Sequence, residues 1–326
     1  MCCLKSSWTS RPYRNTVRST MRLWPASYGT VRTYYQYSAE RFPLEQFVPL
    51  ALIFACSAGL GTQRYLDGAP GNLRKVLLTA SALFLFFLRL RLFDEFKDAE
   101  HDAIHYPSRP VPRGLVTLGQ LRTVIVLIVL GEICISASGG RWSSVFFLAP
   151  FLYSLLMLKE FFVKQWLREH FTIYVVSHEL LVIPLFFYLY SLSGFTPEHA
   201  AHPYFWLLTL CLGAQLFLLE VTRKIRPKDM ERASRDTYTA QYGMRTTAAV
   251  VLAVAFTALG LELVIGRRLF GSIPFLHYFP VPLAAWLLIA MRRFVRQPSE
   301  AHARQAFHVS IWLVFAMNLS LTFTLL

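Results

Sequence analysis

Acid is what this sequence has least of. Its 326 residues include only 19 Asp and Glu against 33 Lys and Arg, and residues 1–39 contain no Asp or Glu at all. Charged residues of both signs make up 16% of the chain while 55% is apolar, a balance that excludes an ordinary water-soluble domain and defines a polytopic membrane protein. Cysteine is scarce too. Cys2 and Cys3 are adjacent, and Cys56, Cys134 and Cys211 fall in apolar runs, so neither a disulfide framework nor a zinc spacing is present. No apolar run precedes residue 44, which argues against a secretory signal. The net charge of +14 is spread over separate loops without a reader motif, so nucleic acid is not the expected partner.

What the chain does have is apolar length. Nine runs long enough to span a bilayer are expected at 44–62, 73–93, 115–137, 144–163, 171–193, 203–222, 246–266, 277–294 and 305–326. The expected fold is therefore an all-α polytopic membrane bundle, with a basic N-terminal segment at 1–43 and a transmembrane catalytic domain at 44–326. Basic residues gather on alternate loops. The N-terminal segment and the loops 94–114, 163–170, 223–245 and 292–304 together carry 23 Lys and Arg, against six on the other face (Arg64, Arg74, Lys75, Arg141, Arg267 and Arg268). By the positive-inside rule the N-terminus and the basic loops face the cytosol. The expected location is the endoplasmic reticulum membrane. The acid-free, Ser- and Arg-rich first 39 residues make import to the mitochondrial inner membrane the alternative.

The rare acid is concentrated where it is least expected, at the end of the second apolar run, in Arg91-Leu-Phe-Asp-Glu-Phe-Lys-Asp-Ala-Glu-His-Asp102. Read as one continuous helix at about 100° per residue, Asp94, Glu95, Asp98 and Asp102 project within roughly 100° of one another. Crowded carboxylates repel, and a divalent cation among them reverses the sign of the interaction. Magnesium suits the case, because it takes a few carboxylates, keeps waters and spends its other positions on phosphate oxygens. The competing reading is a solvated acidic helix end neutralised by Lys97, His101 and Arg91. Arg89 and Arg91 are expected to snorkel or to meet anionic substrate. Pro107, Pro110 and Pro112 then end the helix, and Arg109 either reaches a diphosphate or serves as one more positive-inside charge.

Other ionisable groups lie inside or beside spans. Lys159 and Glu160 fall in the expected fourth span, and His178 and Glu179 in the fifth, where a place along a cavity competes with a satisfied internal hydrogen bond. A second charged stretch, Glu220 to Tyr238, closes the sixth span. Glu220, Asp229, Glu231 and Asp236 offer carboxylates there, of which Glu220, Glu231 and Asp236 are the expected metal ligands, and Arg223, Lys224 and Arg226 offer cations for a diphosphate. Its plain alternative is a surface helix with local ion pairs.

Two acidic, cation-flanked helix ends over an aromatic-rich bundle suit an amphiphile with a diphosphate head and an apolar tail. Magnesium and the cations would stabilise the leaving diphosphate, and the membrane would keep the resulting carbocation from water. A transporter or lipid-binding membrane protein that uses the carboxylates as an ion site is the reading from another class.

Asp94-Glu-Phe-Lys-Asp-Ala-Glu-His-Asp102 resembles the Asn-Asp-x-x-Asp-x-x-x-Asp motif of the UbiA-type intramembrane prenyltransferases, with Asp94 in place of Asn and Glu95 in place of the first Asp. Arg109-Pro110 and Gly114, Thr237-Tyr-Thr-Ala-Gln-Tyr-Gly243 and the fourth-helix Lys159 resemble further parts of that family's pattern. The resemblance implies a UbiA-like bundle, magnesium, an isoprenyl diphosphate substrate and a diphosphate-binding role for Lys159. The second motif departs from the family by its many basic residues, and in this it is similar to the fungal membrane-bound sesquiterpene cyclases. That likeness implies cyclisation of farnesyl diphosphate to a bergamotene-like sesquiterpene, ahead of prenyl transfer to an aromatic or other acceptor.

Overall fold

The computed structural model describes residues 29–68, 71–231 and 237–326, with only the backbone of Arg168. The described residues form helices and no strand. Of the residues named above, Cys2, Cys3 and Asp236 lie outside this range.

In chain order the α-helices are α1 (Gly29–Arg41), α2 (Leu44–Asp67), α3 (Leu73–Lys97), α4 (Ala99–His105), α5 (Leu118–Ser138), α6 (Arg141–Leu158), α7 (Lys164–Glu169), α8 (Phe171–Glu179), α9 (Val182–Ser191), α10 (Pro203–Arg223), α11 (Tyr238–Tyr242), α12 (Met244–Phe270), α13 (Val281–Arg296) and α14 (Glu300–Leu325). Among the described residues, nine helical segments are long and apolar enough to cross a membrane. They coincide with the nine expected runs to within a few residues, and α8 with α9 makes the fifth.

The bundle is closed. Helix α14 packs on α2, joining the last span to the first, and further contacts run α2 to α3, α3 to α5, α6 to α9 and α10 to α12. A main core of Phe, Leu and small residues fills the interior, including Phe54, Phe86, Phe186, Phe205 and Phe294, each fully buried, and a smaller cluster joins Tyr37 to Leu92, Val116, Leu121 and Ile128. Close approach of α2 to α10 needs Gly61, since a Cβ there would sit 2.8 Å from the Tyr204 hydroxyl. Polar side chains lock the same helices at depth. Asn318 accepts from Ser57 at 2.7 Å and donates to Gln215 at 2.5 Å, which ties α14 to α2 and α10.

Three local departures shape the working end. The α3 helix does not run unbroken through the acidic stretch, because Asp98 (φ −102°, ψ 8°) separates it from α4. The backbone ladder nevertheless continues, from Asp98 to Asp94 at 2.9 Å and from Asp102 to Asp98 at 2.8 Å. The fourth span ends at Leu158, earlier than expected, and is followed by a left-handed turn in which Glu160, Phe161 and Phe162 have φ of 45°, 52° and 63°. Such geometry costs about 1–2 kcal/mol per non-glycine residue, so the fixed neighbours of this turn must hold it. The fifth span breaks at Leu180-Leu181, where Pro184 offers no N–H to the carbonyl of Leu180.

Candidate active site

Residues of the N-terminal segment take part in the acidic end. Helix α1 buries Tyr37 and Arg41, and the Arg41 guanidinium lies 2.6 Å from Glu95 and 3.7 Å from Asp102. Arg91 reaches Glu95 at 2.8 Å and Asp94 at 3.0 Å, and the Tyr37 hydroxyl donates to Glu95 at 3.4 Å. The same oxygen of Glu95 thus accepts from three donors, and its carboxylate is a brace between α1 and α3. Burial, followed by the charge of Glu95, holds the Tyr37 phenol well above its ordinary range, so it stays a donor.

The other three carboxylates form a row one helical turn apart. Asp94 and Asp102 are buried, and Arg109 neutralises Asp102 at 2.5 Å while stacking on Tyr106. Arg109 therefore reaches the acidic row itself. Asp98 is half-buried between its two neighbours. Burial first, and then Asp94 and Asp102, push its carboxyl up to about 6 against the opposing pull of Lys97 and Arg91. Of the neutralisers expected for a plain solvated helix end, Arg91 serves that role, His101 stands 3.7 Å from Asp102, and Lys97 turns instead to Glu160 at 3.5 Å and to the Tyr174 hydroxyl at 3.4 Å.

Among the described residues no three Asp, Glu, His or Cys side chains converge on one metal position. Magnesium, however, asks for only one or two protein carboxylates when waters and phosphate oxygens complete its shell. Asp98, crowded by like charges, and Asp94, which borders the cavity below, have the donor chemistry for that, whereas Oε1 of Glu95 is taken up by Arg41, Arg91 and Tyr37.

Beneath the row lies a water-sized gap of about 10 Å³ bordered by Asp94, Lys97, Ser154 and His178 with Phe93 and Leu158. Phe93, Lys97 and Leu158 also wall a second cleft of about 270 Å³, whose other cations are Arg122 and Lys159. Lys159 is exposed, so its cation faces this outer cleft, one wall away from Asp94. Sequence reasoning did not assign Arg41, Tyr37, Arg122 or Ser154 to the site. Arg89 neither snorkels nor meets solvent. It is fully buried, pairs with Glu132 at 2.7 Å, donates to Ser154 at 2.5 Å and is enclosed by the rings of Phe86, Phe93 and Phe151. Through Ser154 this pair forms the cavity floor.

The second charged stretch is arranged more tightly than expected. Glu220 is buried and bound by Arg223 and by Lys224, the latter at 2.8 Å. Burial alone would lower the Lys224 ammonium, but Glu220 outweighs it and holds the group above its ordinary range. Glu231 accepts from Thr237 at 2.6 Å and from Thr239 at 2.6 Å, while Asp229 lies in the single turn Lys228–Met230. In its described part, 220–231 and 237–238, the stretch is not one continuous helix, since α10 ends at Arg223 and Lys228–Met230 is a single turn. Helix α8 stands between the two charged ends. Tyr174 meets Lys97, His178 stacks on Tyr174 at 4.1 Å, and Glu179 lies within electrostatic reach of Glu220, Arg223 and Lys224. Burial, then Glu220 and Glu179, raise the Tyr238 phenol above its usual range.

Among the described residues, nine apolar helical segments close into a bundle with paired carboxylates and cations at the ends of α3 and α10, which defines an integral membrane protein. The profile of the UbiA prenyltransferase family matches residues 31–319, so the chain belongs to that family. Two solved structures share its fold. The apo form of a UbiA homologue from Aeropyrum pernix K1 is 14% identical, with 87% of this chain and 99% of that one aligned at a TM-score of 0.62. A structure of digeranylgeranylglyceryl phosphate synthase is 15% identical, with 90% and 98% aligned at a TM-score of 0.58. No curated protein matches by sequence.

Proposed function

We propose that this chain is a magnesium-dependent enzyme that ionises an isoprenyl diphosphate of the farnesyl class in the membrane and transfers the prenyl group to an acceptor. The observation that carries this reading is the row Asp94, Asp98 and Asp102 above a cavity that Lys97 borders, within a chain of the prenyltransferase family. Asp94 and Asp98 would hold magnesium, which when bound neutralises the diphosphate oxygens and so stabilises the leaving group. Lys97, together with Lys159 and Arg122 across the shared wall, attracts the anionic head. Phe93, Phe96, Ile125 and Leu158, which line the outer cleft, offer apolar contact to the first isoprene unit and exclude water from the cation. Arg109 and Arg41 keep Asp102 oriented.

A second reading is cyclisation of the farnesyl cation without an acceptor. It is favoured by the second charged stretch, whose Glu220 and Glu231 are engaged by Arg223, Lys224, Thr237 and Thr239, a departure from the open carboxylates of the family pattern. Purified protein with magnesium and farnesyl diphosphate separates the two. Turnover that requires an added phenolic or alcoholic acceptor supports transfer, and a cyclic hydrocarbon formed without one supports cyclisation. The ion-site alternative predicts cation binding with no diphosphate turnover at all.

A further inference from the structure

His178 has one ring nitrogen committed and the other open. Its Nδ1 lies 2.8 Å from the carbonyl oxygen of Tyr174. A carbonyl can only accept, so Nδ1 carries the hydrogen, and in the neutral ring the lone pair is on Nε2. Nε2 is buried and meets no hydrogen-bond partner, although His178 borders the same cavity as Asp94. The ring is held in this orientation from two sides, by Tyr174 with centroids 4.1 Å apart and by the edge-on ring of Phe161 at 5.8 Å. Phe161 is the middle residue of the left-handed turn, so that strained geometry places one wall of the His178 pocket.

The remaining polar groups of the cavity are occupied or unsuited to take a proton. Ser154 donates to the carbonyl of Phe151 and accepts from Arg89. Asp94 is paired with Arg91, and the Lys97 ammonium has no lone pair.

We propose that His178 is the base that ends the reaction; the proposal rests on the reading that this site ionises an isoprenyl diphosphate. Heterolysis of the C1–O bond leaves the electron pair on the diphosphate and an allylic cation, of which the water-sized gap between Asp94 and His178 admits only the group that sheds the proton. In transfer, an electron pair of the acceptor forms the new bond to C1 and the resulting cation sheds a proton. In cyclisation, a C–H beside the final cationic carbon sheds it. In both, the Nε2 lone pair takes the proton, the electrons of the broken bond remain in the product as a π bond or lone pair, and the imidazolium returns the proton to the departing diphosphate. Atoms and charge balance without another reactant.

The test follows diphosphate and organic product in the same sample, using the full chain in nanodiscs with magnesium and farnesyl diphosphate, with and without a phenolic acceptor. His178→Phe keeps the ring packing and removes the base, while His178→Gln keeps polarity; unchanged unfolding temperatures show that both are folded. The expected result is diphosphate release within about threefold of the parent and about 100-fold less deprotonated product, replaced by water-quenched prenyl alcohol. A parental ratio of product to diphosphate in both folded variants would overturn this proposal alone, as would a folded variant that loses diphosphate release as steeply as product. A parent that releases no diphosphate would overturn the ionisation reading and this proposal with it.

Discussion

Arg41 and Glu95, 54 positions apart in the chain, form a buried ion pair with 2.6 Å between Nε and Oε1. It fastens the short helix before the first span to the helix that bears the acidic row. A segment with the composition of a basic arm is therefore part of the site's frame. Arg41→Ala leaves Glu95 with Arg91 and Tyr37 but removes a charged hydrogen bond of about 1.5–3 kcal/mol. The unfolding temperature in detergent should fall, and diphosphate release should weaken with it; an unchanged temperature would show that α1 is not docked.

Asp98 and Glu95 should separate chemistry from stability. Asp98→Asn removes a half-buried group crowded by like charges, so folding should be unaffected or slightly improved while diphosphate release falls by a factor of about 100 or more. Glu95→Gln removes the carboxylate that two buried guanidinium groups share, leaving Arg91 with Asp94 and Arg41 with the more distant Asp102, and should lower the unfolding temperature. The comparison is made by thermal unfolding and turnover on the same preparations, and an inverted pattern would reassign the metal ligands.

Arg89 and Glu132 should behave as a coupled pair. Glu132→Ala leaves a fully buried arginine without its counter-ion, a loss of about 3–5 kcal/mol. Arg89→Met combined with Glu132→Leu removes both charges from an interior lined by Phe86, Phe93 and Phe151 and should recover most of that loss. A double-mutant cycle in detergent gives the coupling, and strict additivity would contradict the pairing.

Sidedness is checked by labelling in sealed, oriented vesicles. A cysteine engineered at residue 230 should react with a membrane-impermeant maleimide from the cytosolic face and one at residue 198 should not, because the 223–245 loop carries seven Lys and Arg and the 194–202 loop none. Equal labelling of both would contradict the orientation drawn from charge.

The spans were legible because each is a run of apolar residues long enough to cross a bilayer, and such runs have few alternatives. The acidic row was legible because carboxylates beside an apolar run stand out against their surroundings. The roles within the row were not, since Glu95 owes its structural role to Arg41, and no local pattern connects residues 54 positions apart. The left-handed turn at Glu160–Phe162 was equally hidden. Three consecutive non-glycine residues with positive φ are held by packing such as that of Phe161 on Tyr153 and His178, which a linear reading does not contain. Pro184 was visible, but whether it kinks or ends a span depends on neighbouring helices. For the second charged stretch the sequence left open carboxylates and local ion pairs as alternatives, and in its described part Glu220 pairs with Arg223 and Lys224 at i,i+3 and i,i+4.

The most direct measurement of the central claim is release of diphosphate from farnesyl diphosphate by the purified full-length chain, with magnesium and with magnesium chelated, in parallel with Asp94→Asn and Asp98→Asn. The account predicts release that depends on magnesium in the parent and is lost in both variants while their unfolding temperatures hold. Magnesium-independent release, or parental release in both folded variants, would contradict it.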